Sequence, residues 1–123
     1  MKLLRQITLL LFIFSFSKTF YGQTFDSIIN VKPSYSITKD TLIQGKKFNR
    51  IDFDERQNII ALGNVTKDGI KNGYWIYYSS INHKQICEGE FKKGLKNGWW
   101  YTKEDDCKHK FKRNRPLKLV CHF

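Results

Sequence analysis

The sequence predicts an all-β fold, an array of antiparallel β-hairpins forming an elongated twisted sheet preceded by a signal peptide. Three observations carry that expectation. Gly69-Ile70-Lys71-Asn72-Gly73-Tyr74-Trp75 recurs 25 residues later as Gly94-Leu95-Lys96-Asn97-Gly98-Trp99-Trp100, and a period in this range marks units stacked one on the next. From Phe48 onward, aromatic and β-branched runs alternate with Gly- and Asn-rich breaks, the signature of strands and hairpins. No stretch there sets apolar residues at helical spacing.

The first 22 residues read as a secretory signal peptide. Met1-Lys2-Leu3-Leu4-Arg5 is a basic start, Ile7 to Phe16 is apolar apart from Thr8 and Ser15, and Lys18 ends the run. That run is shorter than the roughly 20 residues a membrane-spanning helix needs, so a cleaved signal fits better than an anchor. Cleavage after Gly22 or after Ser17 satisfies the small-residue preference at the last position. The chain is expected to be exported, to a periplasmic or extracellular compartment. Residues 23–47 read as a lead-in segment or N-terminal cap, with Pro33 and short β-prone pieces at Tyr35-Ser36-Ile37 and Thr41-Leu42-Ile43.

The repeat domain is expected over 48–123. Asn49 to Gly63 predicts a hairpin turning at Glu55–Asn58. Tyr74–Tyr78 and Lys84–Phe91 form the next pair, joined by 79–83. Trp99–Lys103 and Lys108–Lys112 form another, joined by 104–107, and Leu117–Phe123 makes a final strand with Pro116 at its start. The duplicated motif has a mechanical reading. Asn72-Gly73 and Asn97-Gly98 are strong hairpin-turn signals, because both residues accept positive φ. Gly69 and Gly94 supply a second such position. Just past the turn come Tyr74-Trp75 and Trp99-Trp100, and one ring of each pair can stack on the equivalent ring of the next unit, contributing about 0.5–1.5 kcal/mol.

At these residues the chain resembles a MORN-repeat protein, a family of β-hairpins strung into an elongated sheet. The pattern Gly-x-aromatic-x-x-Gly-x-basic-x-Gly-x-aromatic is met by Gly89-Glu90-Phe91-Lys92-Lys93-Gly94-Leu95-Lys96-Asn97-Gly98-Trp99-Trp100. The earlier copy, Gly63 to Trp75, has Val65 in the aromatic place and one extra residue between its first glycines. Its longer period and Gly-Tyr-Trp-Ile-Tyr-Tyr ending resemble a bacterial MORN variant, and that resemblance implies an antitoxin or immunity role. Export argues against a cytosolic antitoxin. The likeness covers about residues 48–112 and implies architecture rather than chemistry, since the shared residues build turns and stacks.

Charge and cysteine usage narrow the partners. The chain carries 22 Lys and Arg against 11 Asp and Glu, a formal net charge of +11. Without residues 1–22 the balance is 19 to 11. Every acid lies at or before Asp106, whereas Lys108, Lys110, Lys112, Arg113, Arg115 and Lys118 follow it. For an exported protein the anionic partners are lipid headgroups, envelope polysaccharide or an acidic protein rather than nucleic acid. Three cysteines allow one disulfide, expected between Cys107 and Cys121. No zinc-type spacing joins them to the histidines, so no metal or other cofactor is expected.

No catalytic signature stands in the chain: no nucleophile motif, and no Gly-rich loop opening a helix. Asp52-x-Asp54-Glu55 and Glu104-Asp105-Asp106 fall in expected turns, where carboxylates cap amides. The leading expectation is a non-catalytic interaction module for a protein or envelope polymer. Its candidate aromatic face is Tyr74, Tyr77, Tyr78, Trp99, Trp100 and Tyr101, of which strand alternation must send roughly half to the interior. The alternative is peripheral binding to anionic membrane or polysaccharide through Lys108, Lys110, Lys112, Arg113 and Arg115.

Overall fold

The computed structural model describes residues 26–121. The expected signal peptide, residues 1–22, lies outside the described residues. Residues 26–29 form one helical turn, in which the Asn30 N–H donates to the Asp26 carbonyl at 3.0 Å.

Beyond it the chain is one open sheet of eight antiparallel strands in sequential order. These are β1 (Tyr35–Ile43), β2 (Lys46–Phe53), β3 (Ile59–Gly63), β4 (Gly73–Tyr78), β5 (Gln85–Lys92), β6 (Leu95–Thr102), β7 (Cys107–Lys112) and β8 (Arg115–Cys121). The sheet therefore starts inside the segment read as a lead-in, whose two β-prone pieces are a single strand. Thr38 and Thr41 flank the register shift that interrupts it against β2.

The turns differ from expectation in a way the register explains. The tight turns are Gln44-Gly45, Lys93-Gly94 and Arg113-Asn114, each with both residues at positive φ, as a two-residue hairpin loop of the mirror-image type requires. Asn97-Gly98 instead lies within β6. A turn at Asn97-Gly98 would set Lys96 opposite Trp99 and carry Phe91 to Glu104. The observed turn sets Phe91 opposite Lys96 and Cys87 opposite Thr102, keeping the acids out of the packed face. Gly98 spends its φ of 75° on a bulge.

That bulge is the main device of the fold. Between the pairs Glu88↔Tyr101 and Glu90↔Asn97, Gly89 alone faces the three residues Gly98, Trp99 and Trp100. Between Leu62↔Ile76 and Val65↔Lys71, Gly63 and Asn64 face the four residues 72–75. Each case gives the later strand two additional residues, and the slack lets a tryptophan fold back over a glycine. The Trp75 ring lies where a Cβ on Gly63 would be, 1.8 Å away, and the Trp100 ring lies 2.2 Å from a Cβ on Gly89. Each indole N–H then donates to the carbonyl one residue past its glycine, Trp75 to Asn64 at 2.8 Å and Trp100 to Glu90 at 3.0 Å. Both rings are fully buried, with the polar N–H satisfied as burial demands.

Trp75 and Trp100 do not stack on each other as the sequence suggests. Phe91 stands between them edge-on, 6.2 Å from Trp75 and 5.0 Å from Trp100. Alternation places Trp75, Tyr77, Cys87, Phe91, Trp100, Cys107, His109 and Phe111 on this Trp face, all buried. On the opposite, Tyr face, Phe48, Leu62 and Ile76 make a small cluster edged by Ile43, Ile51, Tyr74 and Tyr78.

Candidate functional site

The six candidate aromatics divide between the two faces. Tyr77 is 4% exposed and Trp100 fully buried, so both belong to the interior of the Trp face and cannot meet a ligand. Tyr74, Tyr78, Trp99 and Tyr101 lie on the Tyr face, with Trp99 45% exposed. Three of them gather around one carboxylate: Glu88 lies opposite both Ile76 and Tyr101, Glu90 lies opposite Tyr74, and the Glu88 charge reaches Tyr78, whereas Trp99 lies opposite Lys110. Glu88 accepts from the Tyr74 hydroxyl; burial first, and then this carboxylate, raise the Tyr74 pKa. The Tyr101 hydroxyl donates to Asp106 at 2.5 Å, which raises its pKa in turn. Cations cover part of two rings, Lys46 at 3.8 Å from the Tyr74 centroid and Lys110 at 5.7 Å from that of Trp99. The face thus offers flat apolar rings edged by one acid pair and several bases.

The five candidate bases lie exposed on two paired strands and the turn between them. Lys108, Lys110 and Lys112 alternate outward on β7 while Cys107, His109 and Phe111 point inward. Arg113 forms the turn, and Arg115 opens β8 opposite Lys112. Lys110 likewise faces Lys118. Directly opposed like charges cost stability, and β7 and β8 contain no acid to offset them.

Three other acids accept structural hydrogen bonds. Asp52 is buried within β2 rather than in a turn, accepting from Arg50 at 2.9 Å and from Ser36 at 2.6 Å. Asp54 does cap its turn, accepting from the Arg56 and Asn58 amides at 2.9 Å each. Asp105 accepts from the Thr102 hydroxyl.

The expected disulfide joins Cys107 to Cys121, cross-strand partners on β7 and β8. Cys87 is free and fully buried, and desolvation pushes its thiol up to about 12. The repeat lysines have a role the sequence did not assign. Lys71 donates to the Tyr77 hydroxyl at 2.9 Å, and its Nζ lies 4.8–5.3 Å from the rings of Trp75, Tyr77 and Phe91. Burial lowers its pKa. Lys96, 3% exposed, sits 4.5 Å over Phe111. Lys96 is thus buried and Lys71 partly buried, each stabilised by ring faces.

These environments fix a pH dependence. Burial raises the pKa of Tyr74, Tyr77 and Tyr78 above 10.0 and of Cys87 above 9.0. Above the unfolded values the native state binds more protons than the unfolded one, so stability falls as pH rises. Lys71, shifted down, acts oppositely below 10.5 but is a single group. The urea midpoint should fall steadily from about pH 9 to pH 11. Tyrosinate absorbance should appear together with loss of structure; its full appearance in a folded protein would contradict these burials.

Sequence reasoning passed over one signal. Cys87-x-Gly89-x-Phe91-Lys92-Lys93-Gly94 is echoed 20 residues on by Cys107-x-His109-x-Phe111-Lys112-Arg113-Asn114. The two segments occupy equivalent places in β5 and β7. Where Gly89 lies under Trp100, His109 fills the same place opposite Leu119, which needs no such clearance. Comparison of the sequence with protein-family models, with curated proteins and with solved structures returned no match.

Proposed function

We propose that this is an exported, non-catalytic binding protein of MORN-repeat type, whose Tyr face receives an extended protein or envelope-polymer partner. The observation that carries the reading is the exposed Trp99 on the same sheet face as Tyr74, Tyr78 and Tyr101, the other face being buried by its own packed rings. Flat rings held by a sheet give contact area at low entropic cost, and aromatic anchors dominate binding energies. The repeated placement of Gly63 under Trp75 and Gly89 under Trp100 supports the MORN assignment. The engagement of Asp52, Asp54 and Asp105 in structural hydrogen bonds supports a non-catalytic role.

Trp99 supplies the test, because it is the exposed one of three tryptophans while Trp75 and Trp100 are fully buried. Affinity capture from the envelope fraction of the source should yield a partner that shields Trp99 from acrylamide quenching. Trp99→Ala should weaken that capture by about 2 kcal/mol, roughly thirtyfold in Kd, while the melting temperature stays near that of the parent. Equal capture by Trp99→Ala and Tyr101→Ala would rule out the aromatic face.

A further inference from the structure

An up-and-down sheet sends alternate connections to opposite ends, and here the two ends differ sharply in charge. The turns after β1, β3, β5 and β7 share one end. Residues 44–47, 66–70, 92–95 and 112–115 hold eight Lys and Arg there against the single acid Asp68. The connections at the other end, 54–58, 79–84 and 103–106, hold five acids and three Lys and Arg. Each of these stretches presents an exposed base: Lys47 on β2 just past the Gln44-Gly45 turn, and Lys67, Lys93 and Arg113 in the connections themselves.

These bases form a fixed row. The Gly94 N–H donates to the Lys71 carbonyl at 2.8 Å, and the Asn114 N–H to the Lys96 carbonyl at 3.0 Å. The Lys93 N–H donates to the Asn72 side chain at 3.1 Å. The connections after β3, β5 and β7 are thus tied by hydrogen bonds, the last through the start of β6, and successive turns stand two strands, about 10 Å, apart. At the two turns nearest β8 the bases occupy positions that suit them poorly. Lys93 has φ 52° and Arg113 φ 49°, the left-handed region that Asn or Gly fills at less cost. The turn type requires that conformation, and Gln44 adopts it at φ 51° in the turn after β1; what the later two turns add is a charge.

We propose that this row of turns is a binding ridge for a linear anionic polysaccharide, its carboxylates or phosphates meeting successive turns. The charges recur at every second strand with Asp68 as the one acid among them, which suits a polymer with repeated anions. Strands in a sheet rotate by roughly 20–25° each, so a flat bilayer meets only part of the row, whereas a flexible chain follows it. The ridge offers Ile70 and Leu95 as exposed apolar groups but no exposed aromatic, and so lacks the stacking platform that single-stranded nucleic acid uses. A bound polyanion would also relieve the repulsion between Lys112 and Arg115. The ridge uses different residues from the Tyr face and stands or falls separately from it.

Fluorescent alginate, a linear uronate polymer, is the probe, titrated into the purified protein across a salt series. Its affinity should fall steeply with salt, as counterion release requires. The variant Lys67→Gln/Lys93→Asn/Arg113→Asn should lose about a hundredfold in affinity at low salt and show a shallower salt slope. Because Asn suits both turn positions, its melting temperature should not drop. If the triple variant does not fold, Lys93→Asn alone serves, with a loss of several-fold expected. Lys84→Gln/Lys103→Gln, at the opposite end, and Trp99→Ala should bind alginate like the parent. Unchanged affinity in the ridge variants overturns the proposal. So does tighter binding to anionic vesicles, which would favour a bilayer, or to single-stranded DNA of equal charge.

Discussion

Alanine at Gly63 or Gly89 should destabilise the protein by about 3 kcal/mol or more, the upper end for overpacking a closed site. The added methyl would sit 1.8–2.4 Å from ring atoms of Trp75, or 2.2–2.5 Å from those of Trp100. Neither indole can withdraw cheaply, since each is fully buried and donates its N–H to a backbone carbonyl. Gly45→Ala makes the comparison: nothing lies within 4 Å of its Cβ and only its φ of 77° is strained, so about 1 kcal/mol is expected. Urea denaturation followed by tryptophan fluorescence measures all three. Equal losses at Gly45 and Gly89 would show that backbone conformation alone decides, and that the ring contact is unimportant.

The second large effect concerns β8. Its residues from Arg115 to Leu119 are exposed, and only Val120 and Cys121 are partly covered. Burial therefore does little to hold this edge strand, and like charges facing it on β7 push it away. The Cys107–Cys121 bond closes a segment with a sequence separation of 14, which corresponds to about 3 kcal/mol on loop-entropy arguments. Cys107→Ala/Cys121→Ala should lose that amount. Amide exchange should rise first along β8, while β4 and β5 keep their protection until the whole sheet unfolds. A uniform rise across all strands would mean that the disulfide acts on the sheet as a whole.

Much of the plan was legible in the sequence because hairpins are local. The hairpin of β2 and β3 and the strands β4, β5 and β7 fall near where alternation and Gly/Asn breaks placed them, and the cross-strand disulfide pair follows from their spacing. The position of the turn between β5 and β6 was not legible. Asn97-Gly98 is the better turn by local preference, yet Lys93-Gly94 turns the chain, because burying Phe91 and Trp100 together fixes the register. The start of the sheet showed only as two short β-prone pieces, Tyr35-Ser36-Ile37 and Thr41-Leu42-Ile43, which are one strand. Tyr35 to Ile43 is mostly exposed on both faces, so its strand shows no alternation to read.

The candidate site divides in the same way. Sequence placed Tyr74, Tyr77, Tyr78, Trp99, Trp100 and Tyr101 together as a face, because neighbouring aromatics give no sign of which side each takes. Only the two-residue slack in β4 and β6 decides that Trp75 and Trp100 turn inward over glycines and leave Trp99 outside. The basic run after Asp106 was plain in the sequence; its division between a strand face and a turn came from pairing. What the sequence determined by itself is a β-sheet protein with a duplicated Gly-x-Lys-Asn-Gly-aromatic-Trp unit and an unbalanced charge. The tertiary structure alone decided which rings are core, which lysines pack against rings, and that the basic run after Asp106 divides between the outward face of β7 and the turns at one end of the sheet. The reason is physical: composition and spacing act along the chain, whereas face and register are set by which partner strand can accommodate each ring.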